Sequence, residues 1–467
     1  MPLAILPTAP GDPATRAVGH GPRSPEICAR TLLLALVACE PAARPSTAPS
    51  PPAPIAEPPA PHPRPLVRSC PAAAKPVTSR LDPRIVLGDI DGVTWLFGYA
   101  GGEAVLAHLA ADDTLATIKV PLHNAQAGAI EGPRIWLYAP KESAEIPTRW
   151  TSVDVTDPDR PILGDVVPLT LGARLDYADV LAVGTRRALV ITGVPDDRQL
   201  VLLDTATRTS VRQPHPLGKG FEPVHASCDV DRCAVIAITD EGGGPDRRLV
   251  VVRALADATL EVERLAPDWI GQPHAARRGD QILVAWPDRD GVRLRALDHH
   301  GRILGPIVPV PWDSKRWIRD VTLLHADGDV TLAIGERERW SVATVGPLAA
   351  LGPLRELPGT GRYFLTGAPL ADGLAWINVG GDVTYDEMGP GVMTHSWRSE
   401  VVAGFLPTTG DPPPPQTLAS DGGGGRGGFE AHVLTRPGAA AALVVPRGDA
   451  DAFSAPVFAP LRIPCKP

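Results

Sequence analysis

Eight times between residues 84 and 445, a short apolar run, a polar turn and a strongly apolar run follow one another. The second runs begin at Val93 (VTWLF), Ile135 (IWLY), Ala188 (ALVI), Ala234 (AVIAI), Ile282 (ILVAW), Val330 (VTLAI), Leu374 (LAWI) and Ala441 (AALVV). Successive starts lie 42, 53, 46, 48, 48, 44 and 67 residues apart. A unit of about 40 to 50 residues built from short strands cannot bury its apolar faces alone, and that period belongs to propeller blades. Asp-Gly and Gly-rich junctions, as in IVLGDIDG and LLHADGD, supply the positive φ that short hairpin loops need.

A third strand with alternating polarity follows each hairpin (RWTSVDVT, QLVLLDTA, RLVVVRAL, GVRLRALD), and a fourth runs into proline (KVPL, VVPL, PHPL, RLAP, PVPW, ELPG, FLPT). Proline cannot donate to a ladder and belongs on an edge strand. The second runs are nearly continuous in apolar residues, as strands buried on both faces must be. The chain therefore reads as all-β, a propeller of about eight four-stranded blades over residues 80–467. The count is seven if the glycine-interrupted last unit completes the first blade. Residues 404–428, with GGGGRGG around Arg426, read as an insertion that lengthens the final spacing. A hydrophobic fraction of 44% rules out wholesale disorder despite 54 prolines and 46 glycines.

The N-terminal region differs in kind. Residues 31–38 (TLLLALVA) form an apolar stretch after Arg16, Arg23 and Arg30, too short to span a bilayer but the length of a signal-peptide core. Residues 36–39 (LVAC) resemble the lipobox of bacterial lipoproteins, in which cleavage precedes the cysteine and its sulfur carries diacylglycerol. The resemblance implies a leader over residues 1–38 and lipidation of Cys39. Residues 39–79 are rich in Pro and Ala, a composition that favours extended polyproline II and forms no core. They read as a tether.

With Cys28 in the leader and Cys39 on lipid, Cys70, Cys228, Cys233 and Cys465 remain, and four cysteines allow three pairings. Cys228 and Cys233 flank the turn DVDR in one hairpin, where opposed residues lie close enough for a bridge. Cys70 and Cys465 sit at the two ends of a ring that closure would bring together.

A net charge of −8 and the absence of a basic stripe argue against nucleic acid. Paired aspartates (Asp89 and Asp91, Asp229 and Asp231, Asp288 and Asp290, Asp327 and Asp329) lack the carboxylate at the twelfth position that a calcium loop requires, and read as turn chemistry. His299 and His300 are adjacent; in an extended strand they would point to opposite faces and could not share a metal. They read as solvated loop residues, as do the scattered histidines. G-x-S-x-G, H-E-x-x-H and Walker motifs are missing. No catalytic residue, metal or cofactor is expected.

Residues 152–168 (SVDVTDPDRPILGDVVP) resemble the LVIVD repeat of bacterial surface-exposed propellers. Residues 200–211 (LVLLDTATRTSV) are similar to YVTN-like and quinoprotein repeats, with Arg208 and Thr209 where the quinoprotein pattern carries Gly-Lys. Metal-dependent lactonase propellers surround an ion with Asn and acidic residues, whereas this chain has only Asn124 and Asn378. The resemblances imply a bacterial envelope propeller. The expectation is a monomeric, lipid-anchored binding or scaffolding module for a protein or other envelope ligand. Two alternatives stand beside it. One is a propeller hydrolase or lyase with carboxylates from at least three blades converging on the channel. The other is a purely structural envelope protein without an exposed apolar patch, and Trp312, Trp317 and Trp340 near the blade junctions bear on that choice.

Overall fold

The computed structural model describes residues 75–76 and, with short interruptions in the loops, residues 81–461. Among these, the strands form eight antiparallel sheets in chain order. They are blades 1 (81–119), 2 (126–168), 3 (178–218), 4 (222–264), 5 (274–309), 6 (320–356), 7 (365–421) and 8 (428–460). From blade 1 through blade 8 the first strand of each blade meets its counterpart in the next, and at the closing junction the first strand of blade 8 meets the second and third strands of blade 1. The last blade stands as a sheet of its own: strand Lys75–Pro76 pairs with Val457–Pro460 and becomes its fourth strand, so both ends of the chain build one blade.

Apolar alternation explains why the blades stack. In the second strand of blade 5, Ile282, Val284 and Trp286 pack with Ile236 and Val251 of blade 4. The intervening Leu283 and Ala285 pack with Leu332 and Ile334 of blade 6. Successive strand side chains point to opposite faces, so a strand apolar at every position serves two neighbours at once. The same division recurs around the ring. A buried cluster joins blades 1 and 2, 2 and 3, 3 and 4, 6 and 7, 7 and 8 and, closing the circle, 8 and 1 through Leu434, Leu443, Leu81 and Leu96.

Proline ends the fourth strand at Val167–Pro168 and Val308–Pro309, as an edge position permits. The last FLPT is an exception: it ends the third strand of blade 7, Val392–Pro407, and the fourth is Gln416–Asp421. Blade 7 is also where the long final spacing goes. Its second and third strands, Gly373–Gly389 and Val392–Pro407, run 17 and 16 residues. Gly404 is consequently a ladder position rather than the start of an insertion; it lies opposite Trp376, and a Cβ there would fall 2.3 Å from the indole. Arg426 lies outside the described residues.

Trp340 is fully buried between blades 6 and 7. Trp312 is half-buried against the cluster of blades 5 and 6, while Trp317 is 71% exposed. The three do not form one exposed patch.

Neighbouring blades also interlock through turn backbones. A Cβ on Gly184, in the first turn of blade 3, would sit 1.8 Å from the Asp229 carbonyl oxygen of blade 4. A backbone contact cannot rotate away, so Gly184→Ala should cost about 3 kcal/mol of stability. Gly305→Ala, at a position with nothing within 4 Å of the new atom, should stay within about 0.5 kcal/mol. Urea midpoints of the two variants check the difference; equal midpoints would show that the turns do not interlock.

Candidate functional site

In a four-stranded antiparallel blade, the first and third turns emerge at one end and the second turn and the crossing to the next blade at the other. One face of the ring therefore collects the first turns of all eight sheets and the third turns of the first seven, and three groups of polar side chains fall there.

The first group sits where the inner strands approach this face. Asp89 (blade 1), Arg277 (blade 5) and His325 (blade 6) are each next to last in their strand before the first turn, and His225 (blade 4) lies at the middle of its strand. Asp89 and His325 attract electrostatically, while His225 feels the positive charges of His325 and Arg277. Burial in the ring raises the Asp89 carboxyl above its ordinary range, against the opposing hydrogen bonds from Gly92 and Thr435. Burial lowers His325, and lowers His225 to about 4, with the cations nearby adding to the second effect. The Nε2 atom of His225 has no hydrogen-bond partner. Among the described residues this set holds one carboxylate, Asp89.

The second group surrounds a groove of about 210 Å³ between blades 8, 1 and 2, lined by Asp91, Leu109, Thr156, Asp159 and Arg436 among others. Behind it lies His108, buried and stacked on Trp95 at 4.4 Å. Its Nδ1 meets the Leu109 carbonyl at 3.2 Å. Burial lowers the His108 pKa; Asp159 opposes the shift and Arg436 adds to it.

The third group is a histidine pair in a loop, as expected, but not a solvated one. His299 and His300 lie partly buried in the turn after Gly291–Asp298, where the rings approach to 3.8 Å. They face Asp229 of the neighbouring blade, with Nε2 to Oδ2 distances of 3.5 and 3.9 Å. Asp229 itself sits in the loop closed by the Cys228–Cys233 disulfide, which joins directly opposed ladder residues as their spacing suggests. Sequence reasoning missed this meeting because it read the two histidines as solvated loop residues and weighed a shared metal only for an extended strand. The glycine after the histidine pair was the available signal: Gly301 has φ +78°, a turn conformation.

Asp89 and Asp288 act as turn residues, accepting from the backbone N–H of Gly92 and Asp290 at 2.9 and 2.8 Å. Cys39, Cys70, Cys465 and Asp327 lie outside the described residues.

No family model matches the chain, and no curated protein matches it. Solved structures do. One from a study of two prolyl endopeptidases shares 12% identity and a TM-score of 0.41 over 80% of this chain and 55% of that one. The Pyrococcus horikoshii acylaminoacyl peptidase shares 10% identity and a TM-score of 0.39 over 69% and 58%. A streptogramin B lyase shares 10% identity and a TM-score of 0.38 over 65% and 93%. The chain thus spans little more than half the length of the peptidases. At these scores the likenesses add nothing to the strand topology. The LVIVD and YVTN-like patterns remain resemblances; in this fold residues 152–168 run from the third to the fourth strand of blade 2.

His225, half-buried and desolvated inside the ring, predicts an acid weakness. The unfolded chain takes up this proton near pH 6.5, the folded chain near pH 4. Between those values the unfolded state binds more protons, so the contribution is full above about pH 6.5 and is lost as pH falls toward about 4. Urea midpoints measured from pH 7 to pH 4.5 should fall less steeply in His225→Gln than in the native protein. Parallel slopes would show that His225 keeps its ordinary pKa.

Proposed function

We propose that the protein is a ligand-binding propeller of the bacterial cell envelope, tethered by lipid on Cys39 and presenting its turn-bearing face to a protein or other envelope ligand. The observation that carries this reading is the gathering of polar groups from six blades on one face. The channel-mouth set comes from blades 1, 4, 5 and 6, and the groove from blades 8, 1 and 2. A groove with Arg436 beside Asp91 and Asp159 suits a polar ligand group held by paired charges at a partly desolvated surface.

Three features of the chain support the location. The apolar stretch before Cys39 has signal-peptide length, and the Pro/Ala-rich segment is suited to hold the ring away from a membrane. A disulfide between Cys228 and Cys233 is typical of oxidising compartments. An enzymatic reading finds one point of support, the raised Asp89 beside the lowered His325, since perturbed pairs also mark acid–base sites.

The test is cross-linking in native cells, with capture from membranes and mass spectrometry of the partners and of the N-terminal peptide, for the native protein and for Arg436→Glu. We expect a peptide that begins at Cys39 with an added diacylglycerol, and a recurrent partner whose recovery falls about tenfold in the variant, equivalent to about 1.4 kcal/mol. A soluble product with unmodified Cys39, or an unchanged partner set, would contradict the proposal.

A further inference from the structure

We infer that Asp229, His299 and His300 form a binding site for a zinc-class divalent transition metal, with one coordination position open to an outside ligand. Each residue offers one donor atom, and the three donors lie within 4.8 Å of one another. The separations are those of a coordination sphere. Two ligands bonded at about 2.1 Å to a tetrahedral zinc stand roughly 3.4 Å apart, and His299 Nε2 and His300 Nε2 lie 3.5 and 3.9 Å from Asp229 Oδ2. The two gaps to Asp229 close around an ion with movements of a few tenths of an ångström, and the pair of histidine donors, within 4.8 Å of each other, closes by up to about 1.4 Å through rotation of the imidazoles.

The backbone holds the donors in place from both sides. On the blade 4 side, the Asp229 N–H donates to the Arg232 carbonyl at 2.8 Å within the disulfide-closed turn. The Val230 carbonyl accepts from Arg186 N–H of blade 3, also at 2.8 Å. On the blade 5 side, Asp298 Oδ1 accepts from the N–H groups of His300 and Arg302 at 2.9 and 2.8 Å, which fixes the turn. Ser227 Oγ of blade 4 donates to the His299 carbonyl at 2.8 Å. Gly301 lets the turn seat closely, since a Cβ there would fall 2.7 Å from Val251 and 2.9 Å from Ala234. The histidines are partly buried and Asp229 is exposed, so the ion's remaining position faces solvent.

Donor chemistry selects the ion. Two imidazoles and one carboxylate suit zinc, cobalt, nickel or copper, while calcium and magnesium prefer all-oxygen shells. Three protein ligands with a vacant position is the pattern of sites that bind an exogenous molecule, not of closed structural sites. The second shell sets the strength. Both Nδ1 atoms are buried without a protein hydrogen-bond partner, and ligating histidines without such partners lose about 10 to 100-fold in affinity. Arg232 also lies near His300. The expected affinity is accordingly micromolar, well short of that of a structural zinc site.

The experiment is titration of the chelator-treated full chain with Zn(II) by calorimetry and with Co(II) by visible absorption. The inference expects one equivalent of each metal and the intense visible bands of four- or five-coordinate cobalt. It expects affinity to fall at least about tenfold in Asp229→Asn, which keeps the side chain's shape, and in His300→Gln. His123→Ala, at an exposed loop histidine, should bind as the native protein does. Circular dichroism distinguishes a lost site from a lost fold: a variant that keeps the native spectrum and binds metal unchanged would overturn the inference. So would a native protein that takes up no metal, or one whose cobalt shows only the weak bands of the six-coordinate aquo ion.

Discussion

Everything described here depends on a strand that is apolar on both faces. Each blade's second strand divides its side chains between the preceding and following blades, as Ile282 and Leu283 do on adjacent positions. Seven of these junctions are crossed by the chain as it leaves one blade for the next; the eighth, between blades 8 and 1, is crossed only because strand Lys75–Pro76 pairs in blade 8 just ahead of the first strand of blade 1. That seam is sealed by Leu434 and Leu443 against Leu81 and Leu96. It is also pinned by a buried Thr94–Thr435 hydroxyl pair at 2.6 Å, with the Thr435 N–H donating to Thr94 Oγ1 at 3.1 Å. Asp89 joins the same network through Thr435, so the closing seam reaches the channel-mouth group.

The consequence for function is geometric. Closure brings together residues hundreds of positions apart on a common rim, and pairs each turn with a turn of the adjacent blade. The Asp229 loop is braced by blade 3 through Arg186 and receives the histidine turn of blade 5. Such sites cannot belong to one blade. They are properties of the interfaces, and a blade folded alone would have neither the charged groove nor the histidine cluster.

Blade number and strand boundaries were legible because they follow local rules. Apolar runs starting at Val93, Ala188 and Ile282 lie within strands Val93–Ala100, Arg187–Thr192 and Gln281–Asp288. The Cys228–Cys233 bridge followed from hairpin register. What escaped was set by contacts between distant segments. Gly404 looked like a linker glycine, because the Trp376 ring that requires its missing Cβ lies 28 positions earlier. His299 and His300 looked solvated because the approach of Asp229, some 70 positions earlier in the chain, is not written in their immediate neighbours. Asp229 itself looked like a turn aspartate, the role that Asp89 and Asp288 do fill.

Ring closure is the claim on which the shared face rests, and native-state hydrogen exchange followed by mass spectrometry tests it most directly. If the eighth seam is closed, the second strands at Val93–Ala100, Gln281–Asp288 and Ala439–Arg447 belong to one cooperative unit and exchange with a common free energy of opening. Exchange of Ala439–Arg447 through a separate, much less costly opening, while Gln281–Asp288 stays protected, would contradict the closed ring and the site geometry that depends on it.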